Sequence, residues 1–559
     1  MRLSSIRIIT AIFCLLFGAA AWRLGPHSPS DFAVEAQTAS PKPAPQLQPV
    51  SASVSSAKPA TLPQPNLAAP GTELYTAKRG EAIPTIARHY LGKTSYLTSS
   101  ELAEAIRGAN HIPDSTNILK ASEQIVIPGI LPAPITEKTI PVAKDFEVRA
   151  VYLTGVMAAS DHGLRIIKHW REVGGNAVVF DIKDSDGSVN IPFEHPLLGE
   201  HKVYIHDVPK LVHFLHSQNM HAIARIAIFR DERLVVTHPE LAVQSRRNKQ
   251  AWRENGKLVW TDPSNPKVQD YDIALAKHVA QLGVDEIQFD YVRFPAEGDQ
   301  KDAAFVFQGQ QPEAAQDQTG SGNESSANET CGDGRLGRPA KAKPSGPAEK
   351  HAPKSAGSKQ SACPAPHGHQ RADVIAGFLK KAYAELHPTG VLLSLDVFGV
   401  MAWQRQVDLS HTGQDIVQMA KYCDVLSPMI YPSHFFGMDN IPHPGDEPAH
   451  FIGESMDRFE LITKGSGVVI RPWLQAFHWR TKTYSPEYIK IQVETARAKG
   501  GIGFLFWNAA NDYSKPFTAM PEMKAGNAKE KDKFFRGDEL PVAITQAALT
   551  PATTPAGTH

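Results

Sequence analysis

The sequence predicts an α/β protein whose main body, residues 148–520, is a (β/α)8 TIM-type barrel behind a small N-terminal βααβ domain. Three observations carry that prediction. Eight β-rich runs follow one another between Val148 and Trp507, most of them nearly continuous in apolar or β-branched residues, as strands buried on both faces are. Amphipathic helical patterns separate the runs, the mark of βαβ units and a parallel sheet. No glycine-rich phosphate loop is present, which weakens the alternative of a doubly wound open sheet.

At the start of the chain, Arg2 and Arg7 precede an apolar run from Ile8 to Trp22. The run is short for a membrane-spanning helix, which needs about 20 apolar residues. With Gly18-Ala19-Ala20-Ala21 near its end as small residues for cleavage, residues 1–25 read as a signal peptide or a retained signal anchor. Cys14 lies inside the run and not after it, against a lipid anchor. The rest of the chain is therefore expected outside the cytoplasm, in the periplasm or envelope or secreted. Residues 26–72 are rich in Pro, Ala and Ser and too poor in large apolar side chains to order a linker.

Residues 73–130 form a compact unit. Leu74-Tyr75-Thr76 starts a strand, and Ile83, Ile86, Ala87 and Tyr90 recur at helical spacing. Leu102, Ala105 and Ile106 form a second stripe, and Gln124 to Pro128 closes the unit as a strand. Tyr75-Thr76, Arg79-Gly80-Glu81, Ile86-Ala87, Ala109-Asn110 and Ile125-Val126-Ile127-Pro128 resemble a LysM module. That resemblance implies binding of N-acetylglucosamine-containing glycans, peptidoglycan among them. The departure is the long stretch from Gly92 to Ser99 between the helices; a packing domain without a ligand is the alternative.

The eight barrel runs are Val148–Leu153, Ala177–Ile182, Ala222–Phe229, Glu286–Phe294, Val391–Val397, Val425–Tyr431, Val468–Ala476 and Ile502–Trp507. Between the third and fourth, Asp262-Pro263-Ser264-Asn265-Pro266 announces a helix start. After the fourth, residues 298–369 turn to Gln, Gly, Ser, Pro and Lys, a low-complexity insertion at the face where such barrels place their active sites. Residues 521–559 read as a disordered tail. Cys331 and Cys363 bracket the insertion and could pair in an oxidising compartment, while Cys423 reads as a buried free thiol.

Polar side chains late in barrel strands are the candidate site. Alternation puts Gln288 and Asp290 on one face of the fourth run, and Ser394 and Asp396 on one face of the fifth. Two carboxyls on neighbouring strands converge on the mouth, a pattern suited to glycosidic hydrolysis, in which one acts as acid and the other as base or nucleophile. Asp290 and Asp396 are the catalytic candidates, with the alternative that Asp290 only pairs with Arg293 or Arg225. Asp181, Lys183, Arg225, Gln288, Arg293, Tyr431, Trp473, Gln475, Trp507 and Asn508 are the candidate substrate-binding ring. Asp184 and Asp186 before Gly187 fit a turn.

Other classes have less support. With 58 basic and 58 acidic side chains the formal charge is zero, unlike a nucleic-acid binder. There is no Gly-x-Ser-x-Gly elbow and no His-Glu-x-x-His helix. His195, His201 and His206 leave a metal-dependent polysaccharide deacetylase as a minor alternative, and neither a metal nor a cofactor is expected.

The runs Val148-Arg149-Ala150-Val151-Tyr152, Asn176 through Asp184, Ala224-Arg225-Ile226, Trp260-Thr261-Asp262-Pro263, Asp285 through Pro295 and Ser427 through Pro432 resemble a bacterial glycoside hydrolase domain once catalogued only as a domain of unknown function. The resemblance spans nearly the whole barrel except the insertion. It implies a glycosidase-like barrel in an envelope protein, with an acid on the fourth strand, here Asp290, and it also supports Asp396. The polysaccharide substrate is the expectation from the paired carboxyls and the glycan-binding module. A non-catalytic glycan-binding scaffold of the same shape is the rival.

Overall fold

The computed structural model describes residues 70–309 and 368–525. The export signal, nearly all of the linker, the Cys331–Cys363 pair, most of the insertion and all but the start of the tail lie outside the described residues.

Eight parallel strands close a barrel. Val148–Leu153, Ala177–Lys183, His221–Ala227, Glu286–Asp290, Leu392–Phe398 and Val425–Ile430 pair in sequence order. The seventh strand continues from Val425–Ile430, and Gly503–Trp507 closes the circle against Val148–Leu153. All eight expected runs are therefore strands. The seventh is split into Val469–Ile470 and Trp473–Gln475, because Pro472 has no N–H to donate. At the split, Arg471 turns inward and grips Glu286 on the barrel floor at 2.9 and 2.8 Å.

Two apolar layers hold the barrel. Outward residues such as Phe289, Ile226 and Phe506 pack under the surrounding helices. Inward residues Val148, Ala150, Ala177, Val179, Ile223 and Leu505 fill the interior, with Tyr152, Tyr431 and Trp473 above them. The barrel is thus a packed core with its usable space at the top. The announced helix runs Pro266–Ala280; Asn265 caps it by accepting from the Lys267 N–H, with Pro266 at its first turn.

The insertion begins later than its composition suggests. Ala303–Ala304 pairs antiparallel with Gln244–Ser245. Phe305 is buried edge-to-face against Phe294, with ring centroids 4.9 Å apart. Phe305 and Phe307, which meets Phe294 at 5.8 Å, hold residues 298–309 on the barrel, although this polar stretch has no periodicity to announce it. Cys423 is free and buried, as expected.

The N-terminal unit has the expected βααβ order. Thr72–Thr76 pairs antiparallel with Gln124–Pro128, and helices Ile83–Tyr90 and Ser99–Ala109 lie between. The long stretch between those helices is what meets the barrel. Buried Lys210 donates to the carbonyls of Leu91 at 2.9 Å and Tyr96 at 3.4 Å, and Thr98 hydrogen-bonds Asp161. The following segment then straps the barrel floor: Ile140 donates to Asp285, and Glu137 accepts from His213 at 2.7 Å.

Candidate active site

The top inward layer of the barrel is a charged ring around one arginine. Arg225, on the third strand, lies in register between Asp181 on the second and Gln288 on the fourth. Its guanidinium donates to Asp181 at 2.5 Å and to Asp290 at 2.6 Å, and its Nε lies 3.9 Å from Asp396. The other Asp181 oxygen accepts from Tyr152. Asp396 also accepts from the Trp473 indole at 2.7 Å. Since one planar guanidinium reaches both, the Asp290 and Asp396 carboxyls are closer than the roughly 9.5 Å limit of inverting glycosidase pairs.

The acids differ in setting. Burial, with the nearby Asp290 charge, pushes the Asp396 carboxyl well above the usual range, and the Arg225 charge only partly opposes this. Asp290 is the more open of the two: its side chain is 10% exposed against 1% for Asp396. It also accepts from the Tyr291 N–H at 2.6 Å. The strand ends there. Tyr291 has φ 55°, a left-handed conformation that is costly for a bulky residue and concentrates at functional sites. The expected continuation to Phe294 is absent, and Tyr291 instead reaches the cavity wall.

That cavity, about 170 Å³, opens above the ring. Asp181, Arg225, Asp290, Arg293, Asp396, Tyr431, Trp473 and Trp507 line it, all anticipated from sequence. Tyr152, Asp184, Arg230 and Tyr291 line it too and were not anticipated as site residues. Asp184 is in the turn that the sequence suggested, bonding Ser188 and Gly187 through its backbone. Yet its carboxyl faces the cavity, beside Asn190, whose amide donates at 3.3 Å. Burial, then the charge of Asp181 and a hydrogen bond to it, push Asp184 up to about 9.

Four of the expected binding residues are elsewhere. Lys183 is fully buried behind the sheet, 2.8 Å from both Asp231 and Asp272. A β-bulge explains it: Asp181 pairs with Arg225 but Lys183 with Ile226, so the extra residue turns Lys183 to the outer face. Gln288 points inward as expected but is buried and does not line the cavity. Gln475 accepts from the Ser433 hydroxyl at 2.8 Å and donates to Phe477, tying two loops. Asn508 donates to Ala476 and Asp512 and accepts from Ala510, which occupies its amide in a turn. Arg293 lines the cavity but does not pair with Asp290; it lies 4.6 Å over Trp260 and 4.5 Å over Phe398.

His195 packs against Phe193 and Tyr271, and His201 bonds the Ile191 carbonyl. Among the described residues no three His, Cys, Asp or Glu side chains converge to hold a metal ion.

Residues 150–513 match a family described as "putative glycosyl hydrolase domain". The chain belongs to that family. The glycosyl hydrolase-domain match starts at the third residue of the first strand and takes in the other seven strands and the whole charged ring. No curated protein matches the chain. Among solved structures, a hypothetical protein from Ruminiclostridium thermocellum is 29% identical, covering 44% of this chain and 97% of its own, with a TM-score of 0.31. The PgaB (BpsB) glycoside hydrolase domain from Bordetella bronchiseptica is 13% identical over 67% of this chain and 98% of its own, with a TM-score of 0.44. The spore cortex-lytic enzyme SleL from Bacillus megaterium is 10% identical over 80% and 85%, with a TM-score of 0.36.

Proposed function

We propose that the barrel hydrolyses glycosidic bonds in an envelope or extracellular polysaccharide. One observation supports this most: the mouth places Asp290, ion-paired with Arg225, and Asp184, a carboxyl held up to about 9, on one aromatic-walled cavity. A carboxyl pushed toward its protonated form, on the same cavity as a second carboxyl paired with an arginine, is the equipment of acid–base hydrolysis. In this reading the glycosidic C–O bond breaks as a protonated carboxyl passes its proton to the leaving oxygen. Asp290 supports the positive charge at the sugar carbon, either by attacking it or by drawing a proton from the water that does.

The sequence offered Asp396 as the acid and Asp290 as nucleophile or base, with the two roles exchangeable. Asp396 is only 1% exposed, with one oxygen taken by the Trp473 indole and the other near Arg225, which favours Asp184 as the group that reaches the leaving oxygen. Asp184→Asn keeps a donor toward Asp181 but has no proton to give. Turnover of oligosaccharides should fall by about 10²–10⁴-fold, while aryl glycosides with acidic leaving groups, which need no protonation, should lose little. The alkaline fall of the wild-type rate near pH 9 should also vanish. Equal loss on both substrate types would move the acid role to Asp396, for which Asp396→Asn is the matched comparison.

We infer in addition that the chain is exported and that the βααβ unit holds it near N-acetylglucosamine-containing glycan. The LysM-like sequence and the matching element order support this. Sedimentation of the protein with and without residues 73–130 on purified peptidoglycan tests it. Loss of co-sedimentation on deletion is expected, and equal retention would remove the glycan-binding role.

A further inference from the structure

An aromatic row leads away from the cavity. Trp507, on the cavity wall, meets Phe477 edge-on with centroids 5.3 Å apart. Phe477 meets His434 at 5.9 Å, His434 meets Trp479 at 4.7 Å, and Trp479 meets Phe436 at 5.6 Å. The residues come from the loops after the sixth and seventh strands and the end of the eighth. His434 is buried, but Trp507, Phe477, Trp479 and Phe436 each stay partly exposed. Rings gathered only for packing would be covered; these four stay partly exposed, two on each side of the buried His434 that joins them.

The far end is built and not merely greasy. The exposed Arg480 lies 4.1 Å over Phe436 and 4.7 Å over Trp479. Its backbone is left-handed, at φ 50°, which costs a non-glycine residue energy. Gly445 makes room for it: a Cβ there would lie 2.2 Å from the Arg480 carbonyl oxygen. Asp446 accepts from the Lys482 N–H at 2.6 Å and Tyr488 donates to the Gly445 carbonyl at 3.0 Å, clamping the two loops together.

We propose that this row is a saccharide-binding track that carries a polysaccharide chain out of the cavity, so that the barrel acts on polymers and not on short ends. The proposal rests on the hydrolase reading for what sits in the cavity. Aromatic faces suit the apolar C–H faces of pyranose rings, and Arg480 supplies five N–H donors for the ring oxygens and substituents. The ligand class is a chain of several hexose or N-acetylhexosamine units.

N-acetylglucosamine oligomers of two to six units are the probe, titrated calorimetrically against the otherwise full-length Asp290→Asn protein. The hexamer should bind at least tenfold more tightly than the dimer. Adding Trp479→Ala with Phe436→Ala should abolish that advantage and leave dimer affinity unchanged, and Trp479→Phe should restore part of it. Equal affinity for dimer and hexamer, or equal loss on both, overturns the track. The wild-type protein is assayed in parallel for cleavage of the same oligomers. A hexamer advantage that survives the Trp479→Ala, Phe436→Ala change belongs to the N-terminal unit and overturns the track. One that depends on these two rings, without any cleavage, would reject the hydrolase reading for this glycan and leave the track standing.

Discussion

Replacing Asp290 with Asn is expected to lower release of reducing ends from a polysaccharide substrate by about three orders of magnitude, within the range for loss of one acid–base group. The fold should survive. Arg225 keeps Asp181 at 2.5 Å and has Asp396 within 3.9 Å. The Asp290 charge is also one of the causes that raise Asp396, after burial. Removing it lets Asp396 ionise more readily and take over part of the pairing. Melting temperature and turnover should therefore separate, the first nearly unchanged and the second collapsed. Unchanged turnover would assign Asp290 to the alternative noted from sequence, a strand-holding partner of Arg225, and would favour the non-catalytic scaffold.

Lys183→Met should do the opposite. Lys183 is the shared cation of Asp231 and Asp272, donates to the Ile228 carbonyl at 3.1 Å, and has no exposure. Removing one partner of a buried ion pair strands the other and costs about 3–5 kcal/mol; here two carboxylates are stranded. Urea denaturation should show that loss, while turnover per folded molecule stays close to wild type. A variant of normal stability that had lost turnover would return Lys183 to the mouth and contradict the bulge.

Lys183 also marks where the sequence stops being legible. The eight strands were readable because buried parallel strands are written almost wholly in apolar and β-branched residues, and alternation then placed Asp290 and Asp396 on the inward face. Alternation fails where one residue is inserted into the ladder. Nothing in Phe180-Asp181-Ile182-Lys183 announces the bulge. The Tyr291 turn is hidden for a similar reason, since a Tyr-Val-Arg-Phe run reads as a strand continuing.

Other residues needed long-range pairing to be understood. Tyr152 sits in the first strand like a core aromatic, and only its hydroxyl on Asp181, across 29 positions, makes it part of the site. Asp184 was read correctly as a turn residue, but a turn at the top of a barrel strand also overhangs the mouth. Gln475 and Asn508 have the chemistry to bind hydroxyls and spend it on backbone and loop groups instead. Such competition is decided by loop geometry, which residue type does not encode.

The Arg225 hub has a consequence for the medium in which the barrel works. Dissolved ions weaken attractions between charges they can surround, over a Debye length of about 8 Å at physiological strength. The Arg225 side chain is 9% exposed and its three carboxyl partners 1%, 10% and 1%. Counterions have almost no room beside them, so the ring should keep its shape from dilute medium to brine. With Asp184 held up to about 9, the mouth should therefore be tuned by acidity and largely indifferent to salinity.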